Sequence, residues 1–235
     1  MSGAAEPCSG VRLRDAATIV LVRRDGGQPS VLMGMRGAGA AFMPSKFVFP
    51  GGATDPEDAD VALAAEPDGR TLSRLAVRCR SENPVTPRQL LVTALRELAE
   101  ETGQMIGRPG QSTLAGYDRA GLMPDASALH YVFRAITPPG RPRRFDARFF
   151  LADAACLSGD PEDFSAACDE LSHLHWVPIA EARALQLPFI TEVVLAECAA
   201  LIAASDDGPL RAPRSVPFFD SSGDRSRFLQ IGAEA

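Results

Sequence analysis

The stretch Leu95-Arg96-Glu97-Leu98-Ala99-Glu100-Glu101-Thr102-Gly103 makes little sense as plain helix design. Residues 90–103 read as a helix, with Leu91, Leu95 and Leu98 facing a core. Yet Glu97, Glu100 and Glu101 gather near the end where the helix dipole favours cations. Their three- and four-residue spacings also crowd like charges on one face. Each of these effects costs roughly 0.3–1 kcal/mol. A divalent cation among the carboxylates would remove the conflict, and an oxygen-rich donor set suits Mg²⁺ or Mn²⁺.

Upstream of this run, Thr86-Pro87-Arg88-Gln89 supplies a helix start: a threonine N-cap, a proline at the first helical position and a capping-box glutamine. Gly103 can provide the left-handed end. Residues 16–23 (A-A-T-I-V-L-V-R) are β-branched and apolar and predict a buried strand. Asp25-Gly26-Gly27 predicts a turn, with residues 30–36 as the hairpin partner. A Gly/Ala-rich loop spans 37–41. Phe47-Val48-Phe49 predicts a short strand ending at Pro50, and Gly51-Gly52 a tight corner. Asp55, Glu57 and Asp58 read as a solvated loop, with a place near the metal as the other reading. Residues 71–80 predict a short helix with Arg74, Arg78 and Arg80 outward, either plain surface or a lid over a substrate. Further strands are expected at 129–136, 145–151 and 172–177, and helices at 178–184 and 191–204. Phe218, Phe219, Phe228 and Leu229 in the tail are expected to dock. Mixed strands with a few substantial helices predict an α/β sandwich of one domain over 11–235, after a disordered segment 1–10.

The chain has 235 residues, 46% hydrophobic and 23% charged, enough to bury a real core. No apolar run approaches the ~18 residues of a membrane helix, and the first ten residues lack a signal-peptide pattern. Cys8, Cys79, Cys156, Cys168 and Cys198 are scattered without a C-x-x-C pair, against a zinc site or a disulfide framework. A reduced cytoplasmic setting is expected. A net charge of -6 disfavours a nucleic-acid coat, but not a small anionic substrate. Lys46 is the only lysine. That bias reads as a GC-rich genome rather than selection for arginine chemistry.

Pro50-Gly51-Gly52 followed by Arg96-Glu97-Leu98-Ala99-Glu100-Glu101-Thr102-Gly103 resembles the Nudix box, G-x5-E-x7-R-E-U-x-E-E-x-G-U, where U is a bulky apolar residue. The second half matches through Gly103. The first half is divided: Asp58 stands where the pattern has glutamate, the spacer runs from residue 59 to 95, and Gln104 replaces the last apolar residue. The layout is similar to a coenzyme A diphosphatase-like subgroup of Nudix proteins whose box is split by a long insertion, here about 59–88. The likeness extends to the approach segment Arg36…Phe42-Met43-Pro44…Phe49. It continues through Pro142-Arg143-Arg144-Phe145-Asp146-Ala147-Arg148-Phe149-Phe150 and Glu170-Leu171…Trp176-Val177-Pro178…Glu181-Ala182.

The resemblance implies a Nudix-type α/β/α sandwich with a mixed sheet. It implies metal-dependent cleavage of a pyrophosphate bond in a nucleoside diphosphate linked to another group. Glu97, Glu100, Glu101 and the Gly52 carbonyl would hold Mg²⁺ or Mn²⁺. Arg96 would fix the loop and a glutamate, and Glu170 is a further base or ligand candidate. Arg36, Arg143, Arg144 and Arg148 are candidates for substrate phosphates, with generic surface charge as the other reading of Arg141, Arg143, Arg144 and Arg148. Coenzyme A or an acyl-CoA is the leading substrate, with ADP-ribose, NADH and dinucleoside polyphosphates as alternatives. A non-catalytic Nudix-fold nucleotide sensor is the reading from another class. The expected partner is a nucleotide-type small molecule, with no nucleic acid and no membrane; a homodimer is allowed. His130, His173, His175, Trp176 and the cysteines read as structural.

Overall fold

Along ten residues, the first strand lies parallel to a strand from the middle of the chain, and everything else is arranged around that pair. The structure is a computed structural model that describes residues 11–24, 27–37, 39, 43–79, 84–205, 208–223 and 225–232. The elements in chain order are β1 (Leu13–Arg23), β2 (Ser30–Arg36), β3 (Phe47–Val48), β4 (Gly51–Ala53), α1 (Gly69–Leu75) and α2 (Pro87–Thr102). They continue with β5 (Gly107–Pro109), α3 (Ala115–Arg119), β6 (Leu122–Pro124), β7 (His130–Ile136) and β8 (Arg144–Asp153). The last are β9 (Leu171–Pro178), α4 (Ile179–Ala182), α5 (Phe189–Ser205), β10 (Val216–Asp220) and β11 (Arg227–Ile231). The expected segment 1–10, most of the 25–27 turn and of the 37–41 loop, and the positions of Phe42 and Arg80 lie outside the described residues.

The main sheet runs β11-β10-β7-β8-β1-β2-β3, with β4 also on β1 and β9 also on β2. A strand buried on both faces reads as a continuous apolar run, and this is why β1 shows no polar alternation. Its odd-numbered residues Ala17, Ile19 and Leu21 pack with Leu90, Leu91, Ala94, Leu95 and Leu98 of α2. Val20 and Val22 pack on the opposite face with Val194, Leu195, Cys198 and Ile202 of α5. The result is the mixed α/β sandwich expected from the sequence. Among the described residues, no helix is long and apolar enough to cross a membrane.

One edge of β1 is fully taken by β8. The other forks: Ala16–Thr18 pair with β4, and only Val22 and Arg23 pair with β2. The fork exposes the Gly51-Gly52 corner beside the middle of β1, and α2 lies across it. Thr86 caps α2 by accepting the Gln89 N–H at 3.0 Å, and Gly103 closes it at φ 75° with its N–H on Ala99 O. The Gln89 side chain does not complete a capping box. It donates instead to the Asp55 carbonyl at 2.9 Å, tying the helix start to the loop after β4.

The stretch between the two halves of the motif is built into the core. Asp68 caps α1 by accepting Thr71 N–H at 2.7 Å, so the helix starts and ends earlier than expected. Leu75 is 1% exposed, and Val61 and Val85 are also buried. Arg74, expected to face outward, is buried and donates to the Pro213 and Arg214 carbonyls. Arg134 on β7 donates to the Val77 and Arg78 carbonyls at 3.0 and 3.1 Å. Its other bonds, both 2.8 Å, go to Asp146. The tail docks as two strands, β10 running parallel to β7 with Phe218 beside Arg134, whose guanidinium stacks on its ring.

Candidate active site

The two halves of the divided motif meet at the fork. Ala17 pairs with Gly52, so the corner is held by the sheet, while α2 brings its carboxylates down onto it. Glu101, 2% exposed, accepts the Gly51 N–H at 2.7 Å. The Glu97 carboxylate lies so close over Gly52 that a Cβ there would collide with it. Glycine is required at this position for space, not for its dihedral freedom.

Arg96 is the hub. Its Nε and Nη2 donate to the two Asp58 oxygens at 2.8 and 3.1 Å, and Nη2 also reaches the Ala53 carbonyl at 3.1 Å. Nη1 donates to Glu97 at 2.9 Å and Glu100 at 3.1 Å. Asp58 is fully buried and accepts Thr93 Oγ1 at 2.7 Å and Asp55 N–H at 3.0 Å. The solvated-loop reading of Asp58 is therefore corrected: it is the fixed anion that orients Arg96. Bidentate pairing of this kind sets direction as well as strength. Asp55 stays half exposed, 3.6 Å from Arg96.

Burial lifts Glu97 to about 7, against the pull of Arg96 and with repulsion from Glu100 and Glu170. Burial likewise lifts Glu101 to about 8, opposed by the Gly51 N–H and Arg36 and reinforced by Glu97 and Glu170. Burial works against the charge on Arg96, but the Asp58 hydrogen bond, Glu97 and Glu100 outweigh it, so its pKa rises. The site therefore gathers more carboxyls than its surroundings readily keep ionised, burial outweighing the nearby arginines.

That imbalance tests the fit to a metal. Carboxylates and a backbone carbonyl are hard oxygen donors of the type Mg²⁺ and Mn²⁺ prefer. Two carboxyls lifted by burial are groups that a cation would return to the ionised form. Among the described residues, no three acidic, histidine or cysteine side chains already converge on one point. The cause is visible: Glu101 is drawn to Gly51, and Glu100 leans on Arg96. Glu100 is 56% exposed, its carboxylate paired with Arg96 at 3.1 Å. In chemical type, though not yet in convergence, these donors fit the ion.

Arg36 ends β2 and forms an ion pair with Glu170, which precedes β9. Both influence Glu101, so both belong to the site's electrostatics. The remaining arginines do not gather there. Arg148 is fully buried, with Nη1 on Asp15 at 2.5 Å and on the Asp146 carbonyl at 2.7 Å. Its expected contact with substrate phosphates is corrected, because the guanidinium holds the start of the β1–β8 pair. Arg144 donates to the Thr137 and Ser222 carbonyls at the end of the β7–β8 hairpin. It pairs with Leu13, up-strand of the Ala17 that meets Gly52. Arg143 is exposed in the same turn. His175 Nδ1 donates to the His173 carbonyl at 2.7 Å and the ring meets Phe47 edge-on, a packing role.

No family model matches this chain. It is 27% identical over 181 residues to a curated Caenorhabditis elegans protein whose name places it among the nudix hydrolases. The match covers 70% of this chain and 51% of that protein, so the chain spans about half the length of the curated relative. A crystal structure of a NUDIX hydrolase from Alicyclobacillus acidocaldarius is 29% identical, with a TM-score of 0.60 over 86% of this chain and 99% of that one. The mixed α/β fold matches that of the NUDIX hydrolase structure.

Proposed function

We propose that the chain hydrolyses the pyrophosphate bond of a nucleoside diphosphate linked to another group, with Mg²⁺ or Mn²⁺ held by Glu97, Glu100, Glu101 and the Gly52 carbonyl. The observation that carries this reading is the reunion of the divided motif: Glu101 on Gly51, Glu97 over Gly52, and Arg96 locked by Asp58. A purely structural acidic face would have no reason to bury two carboxylates against a glycine corner.

When bound, the cation offsets charge on the pyrophosphate and makes a water more acidic. The protein's own part is positional and basic. Asp58 and Thr93 fix Arg96, which holds Glu97 and Glu100 at the corner. A carboxylate near the attacking water accepts its proton, and burial brings both Glu97 and Glu101 towards the range where such transfer is efficient at neutral pH. Glu170, ion-paired with Arg36, adds to the electrostatics of the same cluster. The likeness to split-box Nudix proteins makes coenzyme A or an acyl-CoA the first substrate to try.

The test is product release from coenzyme A, acetyl-CoA, ADP-ribose, NADH and a dinucleoside polyphosphate, with and without Mg²⁺. Wild type should cleave at least one in a Mg²⁺-dependent way, and Glu100→Gln should lose about 100-fold or more in kcat. A Glu100→Gln enzyme as fast as wild type would sink the metal assignment. Tight nucleotide binding without cleavage would favour the sensor reading instead.

A further inference from the structure

The family pattern places a bulky apolar residue after the final glycine of the box; this chain has Gln104. The glutamine is 3% exposed. A buried carboxamide costs roughly 1–3 kcal/mol unless its groups are bonded. Both partners of its amide come from one segment: Nε2 donates to the Asp160 carbonyl at 3.1 Å and to the Asp163 carbonyl at 2.7 Å. That segment, residues 159–170, leads directly to Glu170.

Two further contacts join the same pieces. The Cys168 N–H donates to the Glu100 carbonyl at 2.9 Å, satisfying an end carbonyl of α2. Ala166 packs on Gly103 so closely that a Cβ at Gly103 would sit 3.1 Å from its methyl. The segment is also shaped from within, by Glu162 N–H on Asp160 and Ser165 N–H on Asp163. The Trp176 indole N–H reaches the Pro161 carbonyl at 3.0 Å from behind. An apolar residue at 104 could fill the space but could not hold two carbonyls.

We propose that Gln104 is a positioning residue: its carboxamide latches the 159–170 arm onto the end of α2 and so fixes Glu170 beside the box glutamates. The inference rests on the hydrolase reading of the site. It assigns to this chain a fixed arm in place of a mobile loop, with the arm and the metal-binding helix moving as one body.

The experiment pairs Gln104→Met, which keeps the volume and removes both donors, with Glu170→Gln and the double variant. Amide hydrogen exchange across 159–170 is read in each protein. Gln104→Met should exchange its arm amides about ten-fold faster and lose about ten-fold in kcat, with KM and the Mg²⁺ midpoint within two-fold of wild type. The double variant should be no slower than Glu170→Gln alone, because Gln104 acts through Glu170. Additive losses, or a faster arm with unchanged kcat, would overturn the positioning role. Unchanged exchange in Gln104→Met would overturn the latch itself. Should Gln104→Met fail to fold, exchange in wild type still decides the latch: a Cys168 amide as fast as an unstructured peptide overturns it. A wild type that cleaves no pyrophosphate removes the hydrolase reading and the positioning role together, while exchange still reports on the latch.

Discussion

At Gly52 the constraint is local and severe, since the Glu97 carboxylate occupies the space a side chain would need. The obstructing atoms are the far end of a flexible side chain, so the carboxylate can yield without disturbing the core. Gly52→Ala should therefore keep a thermal midpoint within a few degrees of wild type while kcat falls about 100-fold, the scale expected from displacing a catalytic group by an ångström. An inactive Gly52→Ala that is also unfolded would contradict this account. The glutamates themselves are legible in sequence because their three- and four-residue spacings are a helix property. Asp58 and Gln104 are less so. The partner of Asp58 is 38 residues away and that of Gln104 more than 50, and no local pattern announces a bond of that range. Arg148 misleads for the same reason: an arginine in a polar stretch looks exposed until the β1–β8 register buries it.

Helix α2 was readable to within a residue because caps and periodicity are local signals. The tail strands were not. Pro217 lies within β10, where a proline argues against a strand, and β11 alternates poorly; β10 is placed by its pairing with the distant β7 and β11 by its pairing with β10. The stretch holding α1 shows the same dependence. A lid should be separable from the core, but Leu75 is buried with α2 in the same cluster, and Arg74 and Arg134 tie the C-terminal end of α1 to the tail and the sheet. Leu75→Ala should destabilise the protein by about 2–5 kcal/mol in urea unfolding, as a core truncation does. A change under 0.5 kcal/mol would return this stretch to the status of a flap. Shortening residues 61–85 is accordingly a stability experiment before it is a selectivity experiment.

For the whole molecule, the charge at the site becomes a dependence of stability on pH. Glu97 and Glu101 titrate near 4.5 when unfolded and at about 7 and about 8 when folded. Between these values the folded state binds more protons than the unfolded one, so stability falls as pH rises. In EDTA the thermal midpoint should decline from pH 5 to pH 8. Saturating Mg²⁺ should flatten or reverse that slope, because a cation favours the ionised carboxylates. A midpoint in EDTA that rises with pH across this range would show that the two carboxyls are not held protonated by their surroundings. This property could not be read from the sequence, since it depends on how deeply α2 settles into the fork.

The parallel pairing of β1 with β8 also sets the order in which the molecule can be made. Asp15 and Arg148 are 133 residues apart, so the most apolar strand leaves the ribosome long before its main partner exists. Contacts of such separation close late and slowly. The corner and its helix are nearer, Gly51 and Glu101 being 50 residues apart. They can find each other while one edge of β1 is still bare. During that interval the nascent chain carries a half-built acidic corner beside an unpaired hydrophobic strand, the kind of surface that chaperones hold.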